Sequence, residues 1–143
     1  MRSRDTLEAP EALALTMVLV AAADGGMSDR EIGVMAGQVQ TLPAFHDFTS
    51  EQLRTATDAA VQLLNEEDGL QHAGRLVRSA LEPRLRETAY ALACEVVAAN
   101  PVTRQRTLEM LDFVCGELHL DPLVASAIER GVRARHQRVE PGQ

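Results

Sequence analysis

The sequence predicts an all-α fold, a single domain over residues 1–143 with its core at about 9–137. Apolar residues recur along the whole chain at the three- and four-residue spacing of one helix face. Strand signals are weak, because aromatic residues make up only 3% of the chain and no Asn-Gly or Asp-Gly pair lies between alternating apolar residues. The composition, 45% hydrophobic and 24% charged over 143 residues, is typical of a chain that buries its own core.

The first two helices are predicted from their ends and from their apolar faces. Helix one covers about residues 9–22, where Pro10 suits the first turn, and it is apolar nearly all round, which predicts a central position. Helix two starts at Ser28 and stops at Pro43. Its predicted core face consists of Ile32, Met35, Ala36, Val39 and Leu42.

The third and fourth helices follow after short breaks. Thr49 opens helix three, with Gln52 at capping-box spacing, and the acidic run 66–69 ends it. Helix four closes before Glu82-Pro83. The predicted core faces are Leu53, Ala56, Ala60, Leu63 and Leu64 in helix three, and Leu70, Ala73, Leu76, Val77 and Ala80 in helix four.

Three more helices bring the total to about seven. Asn100-Pro101 ends helix five, helix six follows from Thr103, and Asp121-Pro122 gives helix seven an N-cap followed by Pro at the first helical position. The predicted core faces are Leu85, Ala89, Leu92, Ala93, Val96 and Val97, then Leu108, Leu111, Cys115 and Leu118, then Val124, Ala127, Ile128 and Val132.

An internal repeat relates two of the helix hairpins. When the chain is laid on itself so that residue 96 meets residue 20, the apolar positions of helix two coincide with those of helix six without a gap. The matched pairs are Ile32 with Leu108, Met35 with Leu111, Val39 with Cys115 and Leu42 with Leu118. We therefore expect a bundle with an internal pseudo-twofold axis, in which the turns at Asp24 and Asn100 lie side by side.

The first of these turns carries carboxylates that suit a hard cation. Asp24 and Glu31 can face the same loop, with Asp29 between them, and such oxygen ligands are those that Ca²⁺ or Mg²⁺ prefer. The pattern of an EF-hand loop is not met. A purely structural interpretation is also open, because Ser28 and Glu31 have the spacing of a capping box and Asp24-Gly25-Gly26 that of a turn.

Other residue types give no catalytic pattern. His46, His72, His119 and His136 are scattered and match neither a zinc nor a di-iron spacing. Cys94 and Cys115 are predicted to be buried thiols of a reduced compartment, without a disulfide between them. Because no catalytic triad, phosphate-binding loop or dinucleotide fingerprint occurs, we expect no enzyme activity.

The charge and hydropathy restrict the partners. A formal net charge of −7 argues against nucleic acid, which needs a clustered basic face. The apolar stretch 12–23 is shorter than the roughly 20 residues of a membrane span, so we expect a cytoplasmic protein that is not integral to a membrane. An acidic partner could bind the arginines at the C-terminal end together with Arg75, Arg78, Arg84 and Arg86, although a solvated face is the alternative.

The segment from Ala22 to Glu31 resembles the Ala-Asp-Gly…Glu motif of the TerB-like family, which includes tellurite-resistance TerB proteins and the N-terminal domain of DjlA-type co-chaperones. The stretch from Thr107 through Leu118-His119-Leu120 resembles the second motif of that family, and the similarity covers about Glu11 to Arg135. The resemblance implies a seven-helix bundle with internal pseudosymmetry and a non-enzymatic role in stress response, with paired acidic loops that bind a divalent metal.

The chain departs from that family pattern in the second loop. Asn100, Pro101 and Thr107 stand where the family has Asp, Gly and Glu, and Arg104 and Arg106 add positive charge.

The ligands that the resemblance implies for Ca²⁺, Mg²⁺ or Zn²⁺ are then Asp24, Glu31, Asn100 and Thr107, and the loss of two charges predicts weak binding. Two hypotheses follow: an accessory protein that binds a cation weakly through this loop, or an interaction adaptor without a metal site. Another protein is the expected partner, and a homodimer is compatible with the sequence.

Overall fold

The bundle is built around its first helix. The structure is a computed structural model that describes residues 6–100 and 104–139, and all regular elements in these residues are helical. They are α1 (Ala9–Ala21), α2 (Asp29–Thr41), α3 (Ser50–Leu64), α4 (Gly69–Ala80), α5 (Pro83–Ala98), α6 (Gln105–Leu118) and α7 (Pro122–Arg135), with a short 3₁₀ turn at Pro43–Phe45. The predicted all-helical fold class is confirmed.

Helix α1 occupies the centre, as its composition predicts. Every residue from position 12 to position 21 is buried, including Thr16, whose hydroxyl donates to the carbonyl of Ala12 at 2.8 Å. That bond satisfies the polar group that an all-round buried helix would otherwise leave unpaired. Helices α3, α4, α5 and α6 pack around α1, so the two helix hairpins share one core.

The packing follows the internal repeat. Helix α2 lies against α5, and α6 lies against α1, so the second helix of each hairpin contacts the first helix of the other. The next helices obey the same symmetry, because α3 packs on α1, the first helix of the preceding hairpin, and α7 packs in the same way on α5. Helix α4 stands outside this relation and contacts α1, α3 and α6. The predicted pseudo-twofold arrangement therefore appears in the helix contacts of the described residues.

The predicted capping residues start the helices as expected. Ser28 and Thr49 each accept a hydrogen bond from a backbone N–H of the following turn, and Asp121 accepts one from Leu123 at 2.7 Å. Helix α4 begins one residue earlier than its apolar face, at Gly69, after Asp68 in a left-handed conformation. Helix α6 begins at Gln105, and the predicted start at Thr103 lies outside the described residues, as does Pro101.

Three predicted core positions are wrong. Ile32 is 47% exposed and Leu108 is 44% exposed, although both fit the apolar spacing. In each hairpin the polar residue one position earlier, Glu31 or Thr107, is buried instead. Because successive helical residues point about 100° apart, burial of the polar residue turns the following aliphatic side chain toward solvent. Ala127, predicted on the core face of helix seven, is also exposed.

Polar contacts attach α7 to α5. Glu95 of α5 accepts from Arg135 Nε at 2.8 Å, and its other oxygen lies 2.8 Å from His136 Nε2. The hydroxyl of Tyr90 donates to Glu129.

None of the helices in the described part of the chain combines the length and the apolar composition that a membrane span requires.

Candidate functional site

The two inter-helix turns that carry the candidate ligands meet in the fold. We call the set Asp24, Ser28, Glu31, Asn100 and Arg104 the hairpin junction. Asn100 Nδ2 donates to Glu31 Oε2 at 2.7 Å, and Arg104 Nε lies 2.8 Å from Asp24 Oδ2. Both contacts join the α1–α2 turn to the α5–α6 turn, so the expectation that the two turns lie side by side is confirmed.

Glu31 is fixed by the start of its own helix. Ser28 Oγ accepts from the Glu31 backbone N–H at 3.1 Å, while Glu31 Oε1 accepts from the Ser28 backbone N–H at 2.7 Å. This reciprocal pair is the predicted capping box, which satisfies two backbone donors that the first helical turn leaves free. Because one carboxylate oxygen is used in the cap, Oε2 is directed to Asn100, and the whole residue is only 5% exposed.

Asn100 enters the junction as a hydrogen-bond donor. Its amide nitrogen serves Glu31, and its Oδ1 lies 3.5 Å from Ser28 Oγ, which donates to it at the edge of hydrogen-bond range. An Asp at this position could accept from Ser28 but, as an anion, could not donate to Glu31. Asn100 therefore makes a charge-assisted hydrogen bond to Glu31, where an Asp would place a second, repelling carboxylate.

Asp24 forms an ion pair with Arg104, a pairing that was not predicted from the sequence. Arg104 pairs with it across the junction, and both groups are open to solvent, with the arginine side chain 71% exposed and the aspartate side chain 36%. The turn at Asp24 is closed by Gly25, whose φ of +96° suits glycine. The available signal in the sequence was the positive charge of Arg104 beside the equivalent turn.

The other two candidate ligands are Thr107 and Asp29. Thr107 is buried in the first turn of α6, at the position that corresponds to Glu31, and it brings no charge. Asp29 lies exposed in the first turn of α2. The structure therefore brings Glu31 and Asn100 into direct contact and places Asp24 across the junction, paired with Arg104.

A cation at the junction would compete with contacts that the chain already makes. Glu31 uses both oxygens, Asp24 Oδ2 faces a guanidinium, and Asn100 presents its amide nitrogen rather than an oxygen to Glu31. Within the described residues no group of three or more His, Cys, Asp or Glu side chains is arranged to hold a metal ion. The donor set as it stands therefore does not fit a divalent cation without rearrangement of Arg104 and Asn100.

The two thiols lie beside Tyr90 and are poorly suited to nucleophilic chemistry. Both are free; Cys94 is buried, whereas Cys115 is half-buried rather than buried as predicted. Burial raises the pKa of Cys94 to about 12, and it also raises the pKa of Cys115 above its ordinary value. The pKa of Tyr90 is raised by burial and by its hydrogen bond to Glu129. Since the thiolate is the nucleophile, the raised pKa values lower the reactive fraction of both thiols.

Comparisons with family models, with curated proteins and with solved structures find no match for this chain. The resemblance to the TerB-like family therefore rests only on the residues of the two sequence motifs.

Proposed function

We propose that this protein is a non-catalytic accessory protein of the TerB-like type that works as an interaction adaptor, with its hairpin junction tied by its own side chains. The observation that carries the proposal is the hydrogen bond from Asn100 to Glu31, which occupies the central carboxylate without an ion. The tie joins two halves of the bundle that are far apart in sequence and so stiffens the scaffold that a partner would meet.

Electrostatics favours this tie over a cation. A divalent ion at Asp24 and Glu31 would lie beside the Arg104 guanidinium and would have to break the contacts of both carboxylates. Two carboxylates with neutral oxygens from Asn100 and Thr107 form a weaker site than four carboxylates would. The raised pKa values of Cys94 and Cys115 further support a role without nucleophilic catalysis.

Weak cation binding is the second candidate, and the exposure of the Asp24–Arg104 pair favours it. An exposed ion pair contributes only about 0–1 kcal/mol, so Arg104 can swing away at small cost. Glu31 is already held in place by its capping box, which leaves one fixed and one accessible carboxylate. A role in a tellurite-resistance type of stress response belongs to either candidate and rests on the motif at residues 22–31 alone.

An amide NMR titration of metal-free protein with Ca²⁺, Mg²⁺ and Zn²⁺ separates the two candidates. The adaptor proposal expects no shift at the junction up to millimolar ion. Shifts confined to residues 22–31 and 100–107, and lost in Asp24→Ala/Glu31→Ala, would replace it by the cation candidate.

A charge variant makes the comparison sharper. Arg104→Ala removes the competing guanidinium and should strengthen any cation binding, whereas Arg54→Ala removes an exposed arginine on α3 and should leave it unchanged. Cation binding that both variants strengthen equally would show that only net charge matters, and would exclude a specific role of the junction.

A further inference from the structure

One face of helix α7 packs against the bundle, and the opposite face is exposed to solvent. Ala125 and Val132 are buried, Val124 and Ile128 are half-buried, and α7 packs against α5. The side chains on the opposite face are exposed: Leu123, Ser126, Ala127, Arg130, Arg133 and Ala134.

We call the exposed residues Leu123, Ala127, Arg130, Arg133 and Ala134 the α7 stripe. Four of them follow the spacing i, i+4, i+7 and i+11, which places them in one line along the helix. Leu123 is 81% exposed and begins the line. The alanines leave the helix backbone accessible, so another helix could approach to the usual interaxial distance of about 8–10 Å. The stripe therefore has the shape of a helix-docking face with one large apolar anchor.

Charge indicates which kind of helix would fit. Residues 122–139 carry four arginines against one glutamate, whereas the whole chain has a formal net charge of −7. The glutamate, Glu129, accepts a hydrogen bond from Tyr90 and so faces α5 rather than the stripe. No ion pair within the described residues engages Arg130 or Arg133, in contrast to Arg135, which pairs with Glu95. The stripe thus offers two arginines to carboxylates from outside.

We propose that the α7 stripe docks an acidic amphipathic helix of another protein. The inference deepens the adaptor role proposed above and rests on it. The partner helix would cover about four turns, place one large apolar residue against Ala127 and Ala134, receive Leu123 between its own side chains, and direct Asp or Glu to Arg130 and Arg133.

Other occupants fit less well. A second copy that presented the same stripe would bring its Arg130 and Arg133 toward those of the first copy, and like charges oppose such pairing. An anionic membrane surface would accept the arginines, but Leu123 is the single large apolar side chain of the stripe, which gives little area to insert.

The test uses the full chain and a synthetic, fluorescein-labelled helical peptide with Leu and Ala along one face and Glu on both flanks. Binding is measured by anisotropy at physiological salt and mapped by amide shifts. We expect shifts on α7, and binding at least about tenfold weaker for Arg130→Glu/Arg133→Glu and for Leu123→Glu. The matched controls Arg54→Glu and Val61→Glu, both at exposed positions of α3, should bind as the wild type does.

Three outcomes would overturn the proposal. The first is equal binding of a peptide with Lys in place of Glu, or of a scrambled sequence without an apolar face. The second is absence of α7 shifts with the acidic peptide, or an equal loss of binding in the α3 controls.

The third is preferential, α7-dependent binding to vesicles of phosphatidylserine and phosphatidylcholine, or an α7-dependent dimer in sedimentation of the chain alone. The amide NMR titration with cations reports on the hairpin junction, whereas the peptide experiment reports on α7. A peptide that fails to bind therefore leaves the titration result intact, and the two failures are distinguishable.

Discussion

Asn100 donates its side-chain amide to the carboxylate of Glu31 at 2.7 Å, across 69 positions of the chain. Glu31 also closes the capping box of α2, so one buried side chain serves both a local helix start and a long-range contact. Loss of the long-range partner would leave a buried carboxylate oxygen without its charge-assisted bond. The stability of the hairpin junction therefore depends on this pair more than on the exposed pair of Asp24 with Arg104.

Removal of the Asn100 side chain should destabilise the protein measurably. We expect Asn100→Ala to lower the free energy of unfolding by about 1.5–3 kcal/mol, the usual contribution of a hydrogen bond to a charged group. Urea unfolding at neutral pH measures it. Asn65→Ala, at an exposed position that follows α3, is the control and should change stability by less than about 0.5 kcal/mol.

A double-mutant cycle identifies the partner. Asn100→Ala combined with Glu31→Ala should cost less than the sum of the two single changes, with a coupling of about 0.5–3 kcal/mol. Strict additivity of the two substitutions would contradict a direct contact.

Introduction of a carboxylate at position 100 should create a response to cations. Asn100→Asp places a second anion beside Glu31, so without divalent ions we expect it to be less stable than Asn100→Ala. Millimolar Ca²⁺ or Mg²⁺ should recover stability, since an ion that binds only the folded state adds about 2.7 kcal/mol at a hundred times its Kd. Thermal unfolding with and without chelator measures the difference.

The wild type is the matched control for that substitution. Its melting temperature should be the same in chelator and in millimolar cation, because Asn100 and Arg104 already serve the two carboxylates. If the melting temperature of Asn100→Asp does not change when the cation is added, the hairpin junction cannot bind a cation even with the added carboxylate.

Most of the fold could be predicted because its signals are local. Ser28, Thr49 and Asp121 start their helices through side-chain bonds to the next turn, and these bonds depend only on nearby sequence. The error at Ile32 has a tertiary origin, because the long-range contact of Glu31 decides which side of α2 is turned inward. Leu108 is exposed in the equivalent position, next to the buried Thr107.

The candidate site was predictable in position and less so in chemistry. The repeat indicated that the turns at Asp24 and Asn100 meet. An amide side chain, however, can donate or accept, so its role at Glu31 depends on an orientation that sequence does not encode. The pairing of Arg104 with Asp24 likewise depends on the relative placement of two turns, and the structure supplies it.

The buried thiol predicts a loss of stability at alkaline pH. An unfolded cysteine loses its proton near pH 8.5, whereas burial keeps Cys94 protonated up to a pKa of about 12. Between these values the unfolded state binds fewer protons, so the free energy of unfolding should fall as pH rises.

The decline is measurable in urea titrations with reductant between about pH 7.5 and 10. One fully shifted thiol contributes a slope of at most about 1.4 kcal/mol per pH unit, and Cys94→Ala should flatten the decline. Cys115→Ala removes a half-buried thiol and should flatten it less. An unchanged slope in Cys94→Ala would assign the alkaline loss to other groups.

Two glycines in helices should respond in opposite directions to alanine. A Cβ at Gly69, the first residue of α4, would overlap the carbonyl oxygen of Leu63, and a backbone atom cannot move aside as a flexible side chain can. Gly69→Ala should therefore lower the free energy of unfolding by about 1–3 kcal/mol, as overpacking does.

A Cβ at Gly116, inside α6, meets no atom within 4 Å. Gly116→Ala should therefore stabilise the protein by about 0.5–1 kcal/mol through helix propensity. Urea unfolding of both variants checks the pair, and equal signs would contradict the close approach of α4 to the end of α3.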